Sequence, residues 1–316
     1  MAELVADLGI AMDGRAPIAE MATQAQAAEA GGATTLWIAC HLFLRDPVTT
    51  AALALAATKK IKVALMALSP YSMHPVYIAM AAASLDEMYP GRVILCLGSG
   101  APADLKAAGI ESPKPLVAIG EAVKICRQLF AGEMADFHGQ MFAVEGRRLV
   151  NGGRAIPIVL AASRPNMLRL AGRQTDGVLI SAATSPPFVK ACLDQVGPGS
   201  GSGHKSCIVY TRLGAIDTVR RPIGFVLRGA HHAENIRLGG ASLDQQALAA
   251  AYAGENWVEV DRLVSDDVVR RHAACGTAGE VRAKLDEYRA IGLDEVVLGG
   301  LDDAGSIAAA LKAVNG

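Results

Sequence analysis

The chain has 316 residues, 52% hydrophobic and 19% charged, which supplies apolar material for a large core and excludes a disordered, charge-rich protein. Thirty basic side chains face thirty-one acidic ones, and no block of five like charges occurs, so the electrostatic footprint of a nucleic-acid or anionic-lipid binder is missing. Length alone suggests about two domains at ~150 residues each, yet α/β barrels of this size fold as one.

Short apolar runs recur along the chain, each followed by a loop and an Ala/Leu-rich helical pattern. The first strand is predicted over Leu4–Met12 and the first helix over Ile18–Ala30, ending at Gly31-Gly32. Thr35–Ala39 is the second strand, with a helix over Pro47–Thr58; Ile61–Leu68 is the third, with a helix from Pro75 to Met88. Arg92–Leu97 is the fourth, followed by a helix near Leu116–Phe130 and a less regular stretch, Gly132–Arg154. Ile156–Ala161 is the fifth strand, Pro165–Gly172 its helix, Gly177–Ser181 the sixth strand, and Ser206–Ala215 the seventh. Helical material dominates Ala241–His272, and a closing unit pairs a helix over Ala278–Ile291 with an eighth strand over Glu295–Leu298. The Gly/Ser-rich segment Gly197–Gly203 reads as a flexible surface loop, because the strand–helix rhythm resumes after it.

Most runs are continuously apolar rather than alternating, as parallel strands covered on both faces require. Eight such units predict an α/β fold, a single (β/α)8 TIM barrel over 1–316 with excursions at about 132–154 and 216–272. The N-terminus carries Glu3 and Asp7 where a secretory signal needs basic residues. The longest uncharged stretch, Val63 to Leu85, is broken by Ser69, Pro70, Ser72, His74 and Pro75, so no membrane span is expected. Cys40, Cys96, Cys126, Cys192, Cys207 and Cys275 lie far apart, several within apolar runs, and read as reduced thiols of a cytoplasmic protein without structural zinc.

A barrel keeps its active site at the C-terminal ends of its strands. Those ends hold Asp13, Cys40-His41, Ser69 through His74, Gly98-Ser99-Gly100, Ala162-Ser163-Arg164, Ser181, Thr211-Arg212 and Gly299-Gly300. Gly98-Ser99-Gly100-Ala101-Pro102-Ala103 fits the loose G-x-G-x-x-G/A pattern, in which glycines admit a cofactor close to the backbone. A dinucleotide fold would want an acidic residue ending the next strand; Glu121 has the spacing but sits in a helical pattern, which ranks a Rossmann domain below a barrel. At Ala161–Met167 a strand ends, Ser163 or Arg164 can lie at the cap, and Pro165 fits the first helical turn, leaving backbone N–H groups to meet an anion. His41 ends an apolar strand and is a candidate acid/base. His74 can start a helix, and His231-His232 with Glu234 lacks a third metal ligand on its face.

The ordered set Leu36-Trp37-Ile38 to His41, Pro70-Tyr71-Ser72-Met73-His74-Pro75, Ser84 to Arg92, Leu97-Gly98-Ser99-Gly100, Ile156-Pro157-Ile158, Pro165 to Gly172, Asp176 to Ile180 and Cys275 to Val281 resembles the luciferase-like flavin and deazaflavin oxidoreductases. It resembles most the coenzyme F-420-dependent methylenetetrahydromethanopterin reductase branch, and it covers nearly the whole chain. The resemblance implies a cofactor, coenzyme F-420 or FMN, lying across the strand ends. Met66, Ala67 and Ser69 would lie near its ring, where relatives carry a strained non-prolyl cis peptide. Gly98, Ser99 and Gly100 would line the cleft, and Ala161, Ala162 and Ser163, with Arg164 adding charge, would hold the phosphate. His41 matches a family active-site histidine, and Ser69 and Tyr71 are its expected hydrogen-bond partners. The chain departs from the methanopterin reductases at Ala11 and Ala101, where they carry carboxylates, and at Cys40, Met73 and Arg164. Loss of both carboxylates removes the obvious proton donor for imine-type reduction and argues against methylenetetrahydromethanopterin as substrate.

The expected activity is hydride transfer between the cofactor and a small organic substrate. One alternative is a two-component monooxygenase using reduced FMN and O2 with an external flavin reductase; another is a non-catalytic cofactor-binding relative. Family resemblance favours a homodimer or larger assembly, with no nucleic-acid or membrane partner.

Overall fold

A computed structural model describes residues 6–197 and 203–316. Most of the predicted Gly197–Gly203 loop, and Leu4 and Val5 of the predicted first strand, lie outside the described residues. Among the described residues eleven strands form: β1 (Asp7–Met12), β2 (Thr35–Ala39), β3 (Lys62–Leu68), β4 (Val93–Leu97), β5 (Ala135–His138), β6 (Ala143–Arg147), β7 (Ile158–Ala161), β8 (Gly177–Ile180), β9 (His204–Leu213), β10 (Ala273–Gly276) and β11 (Glu295–Gly299).

Parallel pairing runs β1-β2-β3-β4-β7-β8-β9-β11, and β11 pairs again with β1, so eight strands close into a barrel. Helices between the strands cover it, as a TIM barrel demands. Prolines open six of the described helices, at Pro47, Pro75, Pro102, Pro115, Pro165 and Pro186, where the missing N–H has no intrahelical partner to lose. Thr277 with Glu280 and Asp303 with Ser306 form capping boxes on the last two helices.

The outward faces of the strands, such as Ile10, Leu36, Ile38, Leu65 and Leu95, pack under the helices. The inward faces form a separate cluster of Trp37, Ala64, Cys96, Val159, Leu179, Ile208 and Val297, which fills the lumen. Trp37 is fully buried, and its Nε1 donates to Glu295 Oε1 at 3.0 Å; Glu295 Oε2 meets His204 Nε2 at 3.0 Å. Gly9 makes room for both, since a Cβ there would collide with the Glu295 carboxylate.

Three regions correct the sequence reading. The less regular Gly132–Arg154 stretch contains an antiparallel hairpin of β5 and β6. Its turn is held by Glu121, which accepts from the backbone N–H groups of Gln140 (2.6 Å), Met141 (2.9 Å) and Phe142 (3.0 Å). The seventh barrel strand is β9, and five helices (Asp217–Leu227, Ala233–Gly239, Gln245–Ala253, Trp257–Leu263, Asp266–His272) and the extra strand β10 follow it. Helix therefore begins well before Ala241. β10 pairs with the upper half of β9, Ala273 opposite Tyr210 and Gly276 opposite Leu213. Helices over Pro102–Ala107, Pro186–Val196 and Ala304–Asn315 were also absent from the sequence reading.

Among the described residues all six cysteines are free, five of them buried, no helix is long and apolar enough to cross a membrane, and no three His, Cys, Asp or Glu residues group as metal ligands.

Candidate active site at the open end of the barrel

The lumen cluster is closed in its middle layer, with Ile94 partly exposed toward the N-terminal ends of the strands. Its partly exposed members at the C-terminal ends, Ala11, Met66, Ala67, Ala161 and Ala182, are mostly small, so that mouth is a shallow floor and not a plug. Gly98 belongs to that floor: a Cβ built on it would lie 2.8 Å from the Ala67 Cβ and 3.6 Å from the Ala161 Cβ. Gly299 lies across from them, 3.8 Å from the Ala11 Cβ on the same construction. Met66 and Ala67, predicted near the ring, Gly98, predicted to line the cleft, and Ala161, predicted at the phosphate, are thus brought together.

The bend in β3 positions two of them. Leu65 pairs with Leu95 but Leu68 pairs with Leu97, so three steps on β3 face two on β4. That bulge lets consecutive residues, Met66 and Ala67, both meet the lumen, which an alternating strand forbids. The peptide bond between them is cis.

Ser69 is buried beside the bulge, and its Oγ accepts from the Tyr71 N–H at 3.3 Å. Gly100, at φ +80°, turns the β4 loop beside it; a Cβ there would come within 3.2 Å of the Ser69 Oγ. The Tyr71 hydroxyl donates to the Pro113 carbonyl and so fastens the loop ahead of the Pro115 helix. His74 caps the Pro75–Met88 helix, its Nδ1 accepting from the Val76 N–H at 3.2 Å, and its ring meets Phe142 edge-on at 5.4 Å. His74 is therefore a helix cap. Glu121, the residue weighed for a dinucleotide fold, clamps the hairpin turn.

His41 is exposed at the end of β2, in a turn closed by the Leu44 N–H to the His41 carbonyl at 3.2 Å. Cys40 before it packs against the outer core, and burial, with Asp46 adding to it, pushes its thiol up. Its N–H donates to the Met66 carbonyl, tying β2 to the bulge. Arg45 binds the Gly14 and Arg15 carbonyls at 3.1 and 2.8 Å, joining the rims of β1 and β2.

Ser163 and Arg164 are exposed where β7 meets the Pro165–Gln174 helix. Arg164 is the N-cap residue, and no side chain there hydrogen-bonds the first turn, so the end keeps donors and the positive end of the helix dipole for an outside anion. His231 stands within electrostatic reach of Arg164; burial first, then that guanidinium, holds its imidazole below the usual range.

The insertion after β9 walls one side of the mouth. Its helices pack Val219, Ile223, Leu248 and Val268 against Ala183, Ala273 and Cys275. Asn235, fully buried, fastens it to the loop after β8 by accepting from the Ser185 N–H (2.8 Å) and donating to the Ala183 carbonyl (2.7 Å). Sequence reading missed Asn235, and also Tyr210, because strand-end counting stopped at Thr211-Arg212. Thr211 turns away, its hydroxyl bonded to the Val209 carbonyl at 2.9 Å, whereas Tyr210 is two residues beyond the lumen residue Ile208 and shares its face. That period of two was the signal.

A closed parallel barrel with a small-residue floor at its C-terminal mouth, an anion-ready helix end beside it and an insertion after the seventh strand is the architecture of a cofactor-using (β/α)8 oxidoreductase. The chain belongs to the luciferase-like monooxygenase family, whose model matches residues 4–295. It is 27% identical over 296 residues, 90% of each chain, to the 5,10-methylenetetrahydromethanopterin reductase of Methanolobus tindarius. Its structure superimposes on a coenzyme F-420-dependent tetrahydromethanopterin reductase from Methanopyrus kandleri with a TM-score of 0.90, at 22% identity and 98% coverage of both chains. An F-420-dependent secondary alcohol dehydrogenase, solved with an F-420–acetone adduct, matches at TM-score 0.79, with 20% identity over 98% of this chain and 99% of that one. The oxygenating constituent of a Pseudomonas putida diketocamphane monooxygenase, solved with FMN, matches at 0.72, with 18% identity over 98% of this chain and 96% of that one.

Proposed function

We propose that the protein binds coenzyme F-420 or FMN in the barrel mouth and moves a hydride between that cofactor and a small organic substrate. The supporting observation is the floor itself: Gly98 makes room for the Ala67 methyl, and together with Ala161 they line the mouth with small residues that a flat ring can lie across. The bound group supplies the redox chemistry; the protein supplies orientation and electrostatics. Met66, Ala67, Gly98, Ser99 and Gly100 hold the ring, with Ser69 behind them. Ala161, Ala162, Ser163 and Arg164 hold the phosphate at the uncapped helix end. His41 orients substrate or handles its proton, and Tyr71 fixes the Ser69 loop and not the substrate, since its hydroxyl is bonded to Pro113.

In this reading residues 1–316 act as one barrel unit, the excursions at 132–154 and 216–272 shaping the mouth, in the cytoplasm and as a homodimer or larger. Supporting association, the Pro75–Met88 helix exposes Tyr77, Met80 and Met88, 64%, 45% and 57% accessible. The family description and the FMN-bound neighbour favour a second reading, oxygenation by reduced FMN and O2 with a partner flavin reductase.

Titration of the apo protein with F-420, FMN and FAD, followed by fluorescence, tests the assignment; micromolar binding of one selects the cofactor, and binding of none refutes the site. Ser163→Ala with Arg164→Ala should weaken a phosphate-bearing cofactor more than its dephosphorylated form, and equal losses count against the anion site. Oxygen consumption with an added flavin reductase separates oxygenation from hydride transfer.

A further inference from the structure

Among the described residues at the strand ends, Tyr210 carries a transferable proton on the face of β9 that Ile208 turns into the lumen, while part of its ring packs against the core of the insertion. Ala11, Ala39, Met66, Ala67, Gly98, Ala161, Ala182 and Gly299 carry no such proton. Tyr210 sits in register with Gly299 on one side and Ala273 on the other, so it stands where β9 emerges between the barrel and the insertion. Its ring lies against Gly300: a Cβ there would come within 2.6 Å of Cδ1 and 3.1 Å of Cε1. Gly300, at φ +76°, thus leaves the gap that the ring occupies. Asp13, Arg15 and Asp302 on the neighbouring rims face the phenol electrostatically. The ring is only half-buried, and its hydroxyl has no hydrogen-bond partner among the described residues. A large side chain seated on a glycine at a strand end, with its polar end left unpartnered, is what a substrate-binding donor requires.

We propose that Tyr210 is a catalytic residue: its phenol hydrogen-bonds a substrate carbonyl oxygen and protonates it as the adjacent carbon receives hydride. This rests on the hydride-transfer reading and narrows it to aldehydes and ketones, and to alcohols in reverse. The step balances. The carbonyl carbon gains hydride with both electrons from the reduced cofactor, and the C=O π pair moves to oxygen. That oxygen takes the Tyr210 proton, and the phenolate is reprotonated from water. Burial, with Asp13 second, holds the phenol above its ordinary range, so it enters each turnover protonated at neutral pH. A nascent alkoxide is a stronger base than a phenolate, which makes the transfer downhill.

Tyr210→Phe keeps the ring packed on Gly300 and removes only the hydroxyl. With six tyrosines in the chain, 3-fluorotyrosine labelling gives an assignable 19F spectrum, the Tyr210 line being the one missing from Tyr210→Phe. Adding oxidised F-420, or FMN, should shift that line. The variant should bind the same cofactor within about twofold, yet turn over small ketones and aldehydes with the reduced cofactor about 100-fold or more slowly, and lose the solvent deuterium isotope effect. An unmoved line, or wild-type turnover with the isotope effect intact, overturns the assignment; if His41→Ala alone abolishes the isotope effect, the proton comes from His41. A wild-type protein that binds cofactor but reduces no carbonyl compound overturns the substrate class. If wild type binds neither cofactor, the hydride-transfer reading itself falls.

Discussion

Replacing Gly98 by alanine places one methyl group on the barrel floor. The new Cβ would stand 2.8 Å from the Ala67 Cβ and 3.6 Å from the Ala161 Cβ. Carbon pairs pack best at about 3.5–4.0 Å, so the first contact is short by roughly 0.7 Å and the second is ordinary. Ala67 cannot rotate away, because its Cβ is fixed to the backbone of the bulged strand, which the Gly98 N–H itself grips through the Leu68 carbonyl at 3.1 Å. The strand must move, and overpacking of this kind costs about 1–3 kcal/mol. Because Ala67 is itself assigned to the surface under the cofactor ring, displacing it should lower affinity along with stability. Urea unfolding should show a lower midpoint at unchanged slope, and fluorescence titration a cofactor Kd at least tenfold weaker. Ala161→Gly, which removes a methyl from the same floor, should leave the Kd within a few-fold. If Gly98→Ala binds cofactor as wild type does while losing stability, the ring does not lie on this floor; if it loses neither, the geometry of the floor is wrong.

Three further substitutions probe what holds the mouth in place. Glu295→Gln keeps an acceptor for Trp37 but removes the charge facing His204, at a cost of about 1–2 kcal/mol after allowing for the partial exposure of His204. The His204 imidazole is raised, first by its hydrogen bond to Glu295, so the pair's contribution is fully present below the unfolded value near 6.5 and fades as pH climbs through the folded value. Wild type should therefore outlast Glu295→Gln most clearly in acid, and a melting-temperature gap that widens with pH contradicts the pairing. Glu121→Gln weakens three backbone contacts to the Gln140–Phe142 turn and should destabilise by about 1–3 kcal/mol, with limited proteolysis cutting first in Gly139–Phe142; uniform cleavage elsewhere would disprove the clamp. Asn235→Ala strands the buried Ser185 N–H and Ala183 carbonyl and should cost about 2–4 kcal/mol, raising hydrogen exchange in the insertion helices before the barrel strands. Equal acceleration in both would show that the insertion does not open separately.

The eight barrel strands were legible in the chain because burial on both faces leaves a parallel strand few polar positions, and a run such as Leu36–Ala39 then stands out against its Gly and Pro borders. The helix starts at Pro47, Pro75 and Pro165 were legible for a related reason, since proline at the first turn acts through local sterics alone, yet Pro102 and Pro186 open helices that the sequence pattern did not reveal. The hairpin after the fourth unit was not. Its strands carry Asp136, His138, Glu145 and Arg147 and expose much of their surface, so they lack an apolar signature and depend on Glu121 some twenty residues earlier in the chain. β10 was hidden likewise, being four residues long and defined by its partner β9.

The candidate site divides along the same line. Gly98, Ala161, Ser163 and His41 could be picked out because strand ends are positions in the chain, and local pattern marks where a strand stops. That Ala67 and Ala161 flank Gly98, that Tyr71 is engaged by Pro113 and that Tyr210 leans over Gly300 depended on which strands became neighbours and how β3 bulged. Local propensity and burial act over a few residues and are written into the order of side chains. Contacts between strands sixty or a hundred residues apart follow from barrel closure, and only the folded chain brings them within reach of each other.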